Sequence, residues 1–378
     1  MKNQKQAGRE GDAATRVRYR EGASEAIAGL PYRIVRKIQE NGPISFSDFM
    51  EMALYDPESG YYAGQDGQVG REGDFFTSVT AGPLFGQLLA SHIAQWWQQA
   101  GSPDSWRVVE LGAHNGYLAG DILSEIRQSH PEAFRGLHYV ILEPLERLAA
   151  AQRNHLQEFS DQLVITSEPE SLDPLPGYLI ANEVLDALPF HLVESNGDVW
   201  HEIGVSLSDD EGFEWSDLGP APKITGTLPQ RASGYRTEVR PDFAGFLRPL
   251  VRTIQPGRML WVDYGFERDD YYAEPRTTGT LRTFRNHKAG EEPLDQPGSQ
   301  DITAHVDFTA VMEAIQSIGG KTLRFENQAR FLTESARPWL LGLEGKTDPE
   351  TMKLLRNFQT LTHPGQMGSR FHMLECEW

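Results

Sequence analysis

The stretch from Trp106 to Pro144 limits what this chain can fold into more than any other. A short apolar run, Trp106-Arg107-Val108-Val109-Glu110-Leu111, feeds directly into Gly112-Ala113-His114-Asn115-Gly116. An amphipathic segment follows, then a second apolar run, Tyr139-Val140-Ile141-Leu142, which ends in Glu143-Pro144. Strand, glycine-punctuated turn, helix, and strand ending in an acid are the order of a first βαβ unit in a nucleotide-type binding fold.

Further apolar runs repeat the rhythm at Leu163-Val164-Ile165-Thr166, Tyr178-Leu179-Ile180-Ala181 and Met259-Leu260-Trp261-Val262. They are continuously apolar rather than alternating, which marks strands covered on both faces of a parallel sheet. Helical spacing between them completes the expectation of a doubly wound, Rossmann-like α/β core. Phe371 to Trp378 reads as a closing strand. Residues 1–30 read as a disordered tail and 31–105 as an N-terminal helical cap. The core is expected over 106–190 and again over 237–378, with a long polar loop at 277–299. Between the halves, 191–236 breaks the rhythm. Asn196-Gly197-Asp198 there has the composition of a hairpin turn, and the segment reads as an inserted β-rich lobe.

Composition excludes some functions. With 35 Lys and Arg against 54 Asp and Glu, the formal charge is −19, which disfavours a phosphate backbone as partner. No apolar run approaches a membrane span. A lone cysteine, Cys376, rules out an internal disulfide or a cysteine metal cluster. The histidines are scattered without ligand spacing, so no metal site is expected. Glu10, Asp12, Glu21 and Glu25 count against a transit peptide, and a cytoplasmic protein is the expectation.

The turn itself suggests the cofactor. Glu110 stands just before Gly112, where a dinucleotide site would have to admit a pyrophosphate. A carboxylate opposes that anion but suits the ammonium group of S-adenosylmethionine (SAM). Gly112 and Gly116 supply the tight turn and close backbone approach. His114 stands where a glycine is usual, and His and Asn tolerate positive φ better than most residues. Glu143 is placed to accept hydrogen bonds from two ribose hydroxyls. The alternative is a purely structural turn.

Asn182-Glu183-Val184-Leu185-Asp186 follows the fourth strand, at the edge where such folds bind ligands. Glu183 and Asp186, if helical, share a face and could clamp a guanidinium. Alternatively Asn182 caps a helix and the acids favour its positive end. Gly73 to Ser78 could fold over the cofactor, with Phe76 as a lid and Thr77 as a hydrogen-bond donor, or merely start the next helix. Ser167 or Glu168 could meet the adenine. Arg282, Arg285, His305 and Asp307 could bind an anionic acceptor or act as base and orienter, or be structural.

Several stretches together resemble one family. They are Tyr55-Asp56-Pro57 through Tyr62, Gly73 to Ser78, Phe85-Gly86, Glu110-Leu111-Gly112, Asn182-Glu183 and Asp186-Ala187-Leu188-Pro189. Val262-Asp263-Tyr264-Gly265, Gly279-Thr280-Leu281-Arg282 with His287, and Asp301 to Phe308 complete the set. From about Tyr32 onward the chain is similar to the MidA-type class I methyltransferases, relatives of a mitochondrial complex I assembly factor that methylates arginine. Where that family usually carries Gly-Pro-Gly-Arg-Gly, this chain has Gly-Ala-His-Asn-Gly.

The resemblance implies a SAM-dependent methyltransferase acting on a protein side chain, arginine first. A small-molecule carboxylate methyltransferase and a SAM-binding assembly factor of little activity are the alternatives. Site expectations are Glu183 and Asp186 for the acceptor, and Phe76, Thr77, Glu110, Gly112, Gly116, Glu143 and Asn182 for SAM. Expected partners are the methyl acceptor and, through the lobe, a second copy or a docking protein.

Overall fold

A computed structural model describes residues 29–64, 77–210, 212–226, 228–285, 288–290 and 292–378. Its main sheet is built from β1 (Trp106–Leu111), β2 (Leu137–Leu142), β3 (Leu163–Thr166), β4 (Gly177–Asn182), β5 (Gly257–Phe266), β6 (Lys321–Asn327) and β7 (Phe371–Glu377). The order across the sheet is β3-β2-β1-β4-β5-β7-β6. β1 to β5 run parallel, and β7 pairs antiparallel with both β5 and β6. The order reverses beside β1, so the crevice opens at the carboxyl ends of β1 and β4.

Both faces of the sheet are covered. Trp106, Val108, Tyr139, Ile141, Tyr178 and Ile180 meet the helices Leu84–Gln99 and Tyr117–Ser129. Val109, Val140, Leu179 and Trp261 meet the helices Phe243–Thr253 and Phe308–Ser317 on the other side. The Tyr117–Ser129 helix presents Leu118, Ile122, Leu123 and Ile126 inward at helical spacing. Asp307 caps the Phe308–Ser317 helix by accepting from Ala310 N–H at 3.1 Å.

A second sheet holds the residues that interrupt the core. His191–Ser195, Trp200–Leu207, Phe213–Pro220 and Arg236–Val239 pair antiparallel, joined by Ile44–Ser45. The helices Gly29–Asn41 and Phe46–Tyr55 bury Leu30, Ile34, Phe46 and Phe49 against Leu192 and Val205 of this sheet and Phe190 just before it. Phe46 lies 5.4 Å from Phe190 and 5.2 Å from Trp215, centroid to centroid. The first part of residues 31–105 thus shares a core with the inserted strands, whereas the Leu84–Gln99 helix belongs to the main sheet.

Two local expectations change. The polar segment 277–299 is not a plain loop: Arg282–Arg285 pairs with Lys288–Gly290 and with Asp301–Thr303 in a small sheet. Thr283 is buried between the exposed Arg282 and the half-buried Phe284, a period-2 signal too short to read unaided. No helix follows Asn182 either. The N–H groups that would begin one are taken by Asp263 instead.

Candidate cofactor and acceptor site

Side chains alternate along a strand, so residues of one parity share a face. Trp106 and Val108 place Glu110 on the face that carries Tyr139 and Ile141. The same parity carries Glu143, Asn182 and Tyr264 to that face, at the carboxyl ends of β2, β4 and β5. Four polar side chains from four strands therefore border one crevice.

The turn after β1 matches its sequence. Gly112 has φ +66°, and a Cβ there would lie 2.7 Å from Val184 Cγ2. Gly116 has φ +79° and caps the Tyr117–Ser129 helix without a side-chain bond. His114 takes φ +47°. The turn therefore offers bare backbone and a helix N-terminus to the crevice.

Glu110 lies beneath that turn, 2% exposed, with Oε2 accepting from the Tyr139 hydroxyl at 2.5 Å. Burial pushes its carboxyl up to about 7, against the pull of Tyr139. Glu143 is also buried. Its Oε1 accepts from Leu145 N–H at 2.9 Å and its Oε2 from Gln152 Nε2 at 3.0 Å. The same Gln152 nitrogen donates to the His114 carbonyl at 2.8 Å, so one amide joins the turn to the acid. Gln152 was not expected from sequence. It is a buried polar residue on an otherwise ordinary helix, and only the tertiary fold reveals its partners.

At the end of β4, Asn182 Nδ2 donates to Glu183 Oε1 at 3.0 Å. Asn182 Oδ1 is buried with no hydrogen-bond partner among the described residues. Glu183 adopts φ +55°, strained for a non-glycine residue. Burial and the Asp186 carboxylate push Glu183 up to about 8. Burial lifts Asp186 to about 6, opposed by Arg240. The two acids are thus close neighbours without the helix expected to align them. Tyr264 stacks on His305 at 6.2 Å and 11°, walling the adjoining edge. Burial holds His305 down to about 4, so its ring is neutral.

The other expected residues are less central. Phe76 lies outside the described residues, as does His287. Thr77 is buried and exchanges hydrogen bonds with Thr80 in a turn ahead of the Leu84–Gln99 helix. Ser167 and Glu168 are exposed. Arg282 and Arg285 are exposed on the small ribbon. No group of three or more His, Cys, Asp or Glu that could hold a metal occurs among the described residues.

The residues present fit SAM. Its ammonium needs acceptors, and Asn182 Oδ1, buried without a partner among the described residues, and the Glu110 carboxyl would be available to it. Its ribose needs a carboxylate, and Glu143, held in place by Gln152, would present one. Its backbone-hugging path needs a turn without a side chain, which Gly112 gives.

Sheet order, bare turn and ring of acceptors define a class I SAM-dependent methyltransferase. The chain belongs to the S-adenosyl-L-methionine-dependent methyltransferase family whose model matches residues 88–326. A Burkholderia thailandensis protein solved with S-adenosyl-homocysteine bound is 31% identical, with a TM-score of 0.82 over 92% of each chain. The mitochondrial protein arginine methyltransferase NDUFAF7 of Xenopus tropicalis is 30% identical over 92% of this chain and 85% of its own. Its Drosophila melanogaster homolog is 29% identical over 94% and 86%.

The NDUFAF7 relatives overturn the cytoplasmic expectation, because they are named as mitochondrial proteins. The expectation leaned on acids in the first 25 residues, which lie outside the described residues, and the fold itself encodes no compartment. No helix among the described residues is long and apolar enough to cross a membrane.

Proposed function

We propose that this chain methylates an arginine side chain of a protein, with the acceptor held by Glu183 and Asp186. The observation that carries the reading is the pair itself: a half-buried Glu183 and a buried Asp186, neighbours on the strained loop beside the crevice. The arginine methyltransferase names of the relatives support it.

Bound SAM supplies an electrophilic methyl group on its sulfonium. The protein's part is alignment and charge placement. Asn182 and the turn at Gly112 and Gly116 hold the amino-acid end, and Glu143 takes the ribose. Glu110 lies beneath, its Oε2 engaged by Tyr139, and a cation settling above it would favour its ionised form. A guanidinium would lie against the Tyr264 face and donate to both acids. Glu183, poised near 8, can accept the proton that the guanidinium sheds on methylation. The lobe is the proposed docking surface for the protein acceptor or for a second copy.

The test is to incubate the chain with methyl-labelled SAM and a mitochondrial protein extract, then locate the label by mass spectrometry. Label on arginine, lost in Glu183→Gln with S-adenosyl-homocysteine binding intact, supports the reading. Label on metabolites, or full activity of Glu183→Gln, sinks it.

A further inference from the structure

The loop that follows β4 is strung between two bodies. Its backbone donors go to the main sheet: Val184, Leu185 and Asp186 N–H lie 3.1, 2.8 and 3.2 Å from Asp263 Oδ2, on β5. Its backbone acceptors go the other way. Asp186 O accepts from Arg240 Nη2 at 2.6 Å, and Leu188 O from Arg240 Nε at 3.0 Å. Ala187 O, between them, accepts from the Tyr55 hydroxyl at 2.9 Å. Arg240 also donates to His305 O at 3.1 Å and Ala304 O at 3.3 Å. Its guanidinium lies over the Phe190 ring at 5.0 Å.

The origin of these partners matters. Arg240 directly follows Arg236–Val239, the last strand of the inserted sheet, and Tyr55 ends the Phe46–Tyr55 helix packed on that sheet. Among the described residues, no hydrogen bond of Arg240 or Tyr55 reaches His114, Glu143 or Gln152 on the cofactor side. A guanidinium is a rigid planar fork, so a move of the inserted sheet would be passed to several carbonyls at once. With Glu183 already at positive φ, the loop has little slack of its own.

We propose that Arg240 and Tyr55 are positioning residues for the methyl acceptor. Through consecutive carbonyls of the loop, the body formed by the first helices and the inserted sheet sets Glu183 and Asp186. The cofactor half stays under the control of the main sheet. The inference rests on the reading that this loop carries the acceptor acids.

The test uses the full chain with Arg240→Lys and Tyr55→Phe. The first keeps the charge but loses the fork, and the second loses one hydroxyl. Three quantities are read. They are calorimetric affinity for S-adenosyl-homocysteine, label transfer from methyl-labelled SAM to a protein extract lacking this chain, and amide exchange of Val184 to Asp186. Label transfer should fall roughly 10- to 100-fold in Arg240→Lys, and by a smaller factor in Tyr55→Phe. Exchange at Val184 to Asp186 should quicken in both, while S-adenosyl-homocysteine affinity stays within about twofold.

Unchanged transfer and exchange in both variants would overturn the proposal. So would a loss of transfer matched by an equal loss of S-adenosyl-homocysteine affinity, since that marks a general structural role. Glu183→Gln in the same assay separates the two readings. Full transfer in that variant defeats the acceptor assignment, and so does a wild-type chain that transfers no label. No transfer there, with full transfer in the other two variants, defeats only the positioning role.

Discussion

The side-chain nitrogen of Gln152 lies 3.0 Å from the carboxylate of Glu143, and the same nitrogen holds the carbonyl of His114 at 2.8 Å. The residue that replaces a glycine in the turn and the acid placed for the ribose are therefore fixed by one amide. A hydrogen bond to a charged group contributes about 1.5–3 kcal/mol. Gln152→Leu should then weaken S-adenosyl-homocysteine binding about tenfold or more, with the fold retained. Isothermal calorimetry reads this, and an unaltered Kd would show that the amide sets neither partner.

Gly112 should tolerate no side chain. In Gly112→Ala the new methyl would sit 2.7 Å from Val184 Cγ2, at a φ of +66°. Clash and strain act together, so cofactor binding should fall below detection. In Gly116→Ala the nearest atom, Leu156 Cδ1, is 3.1 Å away, and the loss should be smaller. Adding Val184→Ala to the first variant relieves the clash alone and should restore binding only in part. Full restoration would mean that the backbone conformation is unimportant.

Glu110 makes a stability prediction with a definite sign. Its folded carboxyl is raised to about 7, above the ordinary 4.5, because burial disfavours the charge. The folded state therefore holds its proton more tightly. Stability from this group is present below about 4.5 and is lost as pH rises to about 7. Glu110→Gln should stabilise the cofactor-free protein at pH 8 by roughly 1–3 kcal/mol and have little such effect at pH 4. Denaturant melts at both pH values check this; a destabilised variant at pH 8 would contradict it.

Methyl transfer should quicken as pH rises toward 8. Glu183 can accept a proton only when ionised, and burial with the Asp186 carboxylate keeps it protonated up to about 8. The log of the single-turnover rate should climb through neutral pH and level off above that value. Glu183→Gln should remove the inflection. An inflection that survives the substitution belongs to another group.

Much of this was legible in the residues because the parallel strands are continuous apolar runs, and no other element writes that pattern so plainly. Gly112, Gly116 and the two acids that follow strands were readable because position on a βαβ unit is set by local order. The hairpin at Asn196-Gly197-Asp198 was readable from turn chemistry, and Gly197 takes φ +101°. The helix expected after Asn182 failed for a reason no local pattern holds: Asp263, some eighty residues on, captures the donors that would have started it. Gln152 and Arg240 were invisible for the same reason. Their partners are backbone carbonyls and one acid brought near only by the finished fold.

β7 comes after every other strand of the main sheet in the sequence, yet it lies inside the sheet, between β5 and β6. Of the strands of this sheet, a ribosome therefore delivers an interior one last. Until Phe371–Glu377 emerges, β5 and β6 each present a naked hydrogen-bonding edge, and Met259 and Trp261 lack the neighbours they have across Cys376 and Leu374. Such edges invite pairing with other chains. A chain cut short before Phe371 would keep both edges unpaired and should aggregate rather than give a weaker enzyme.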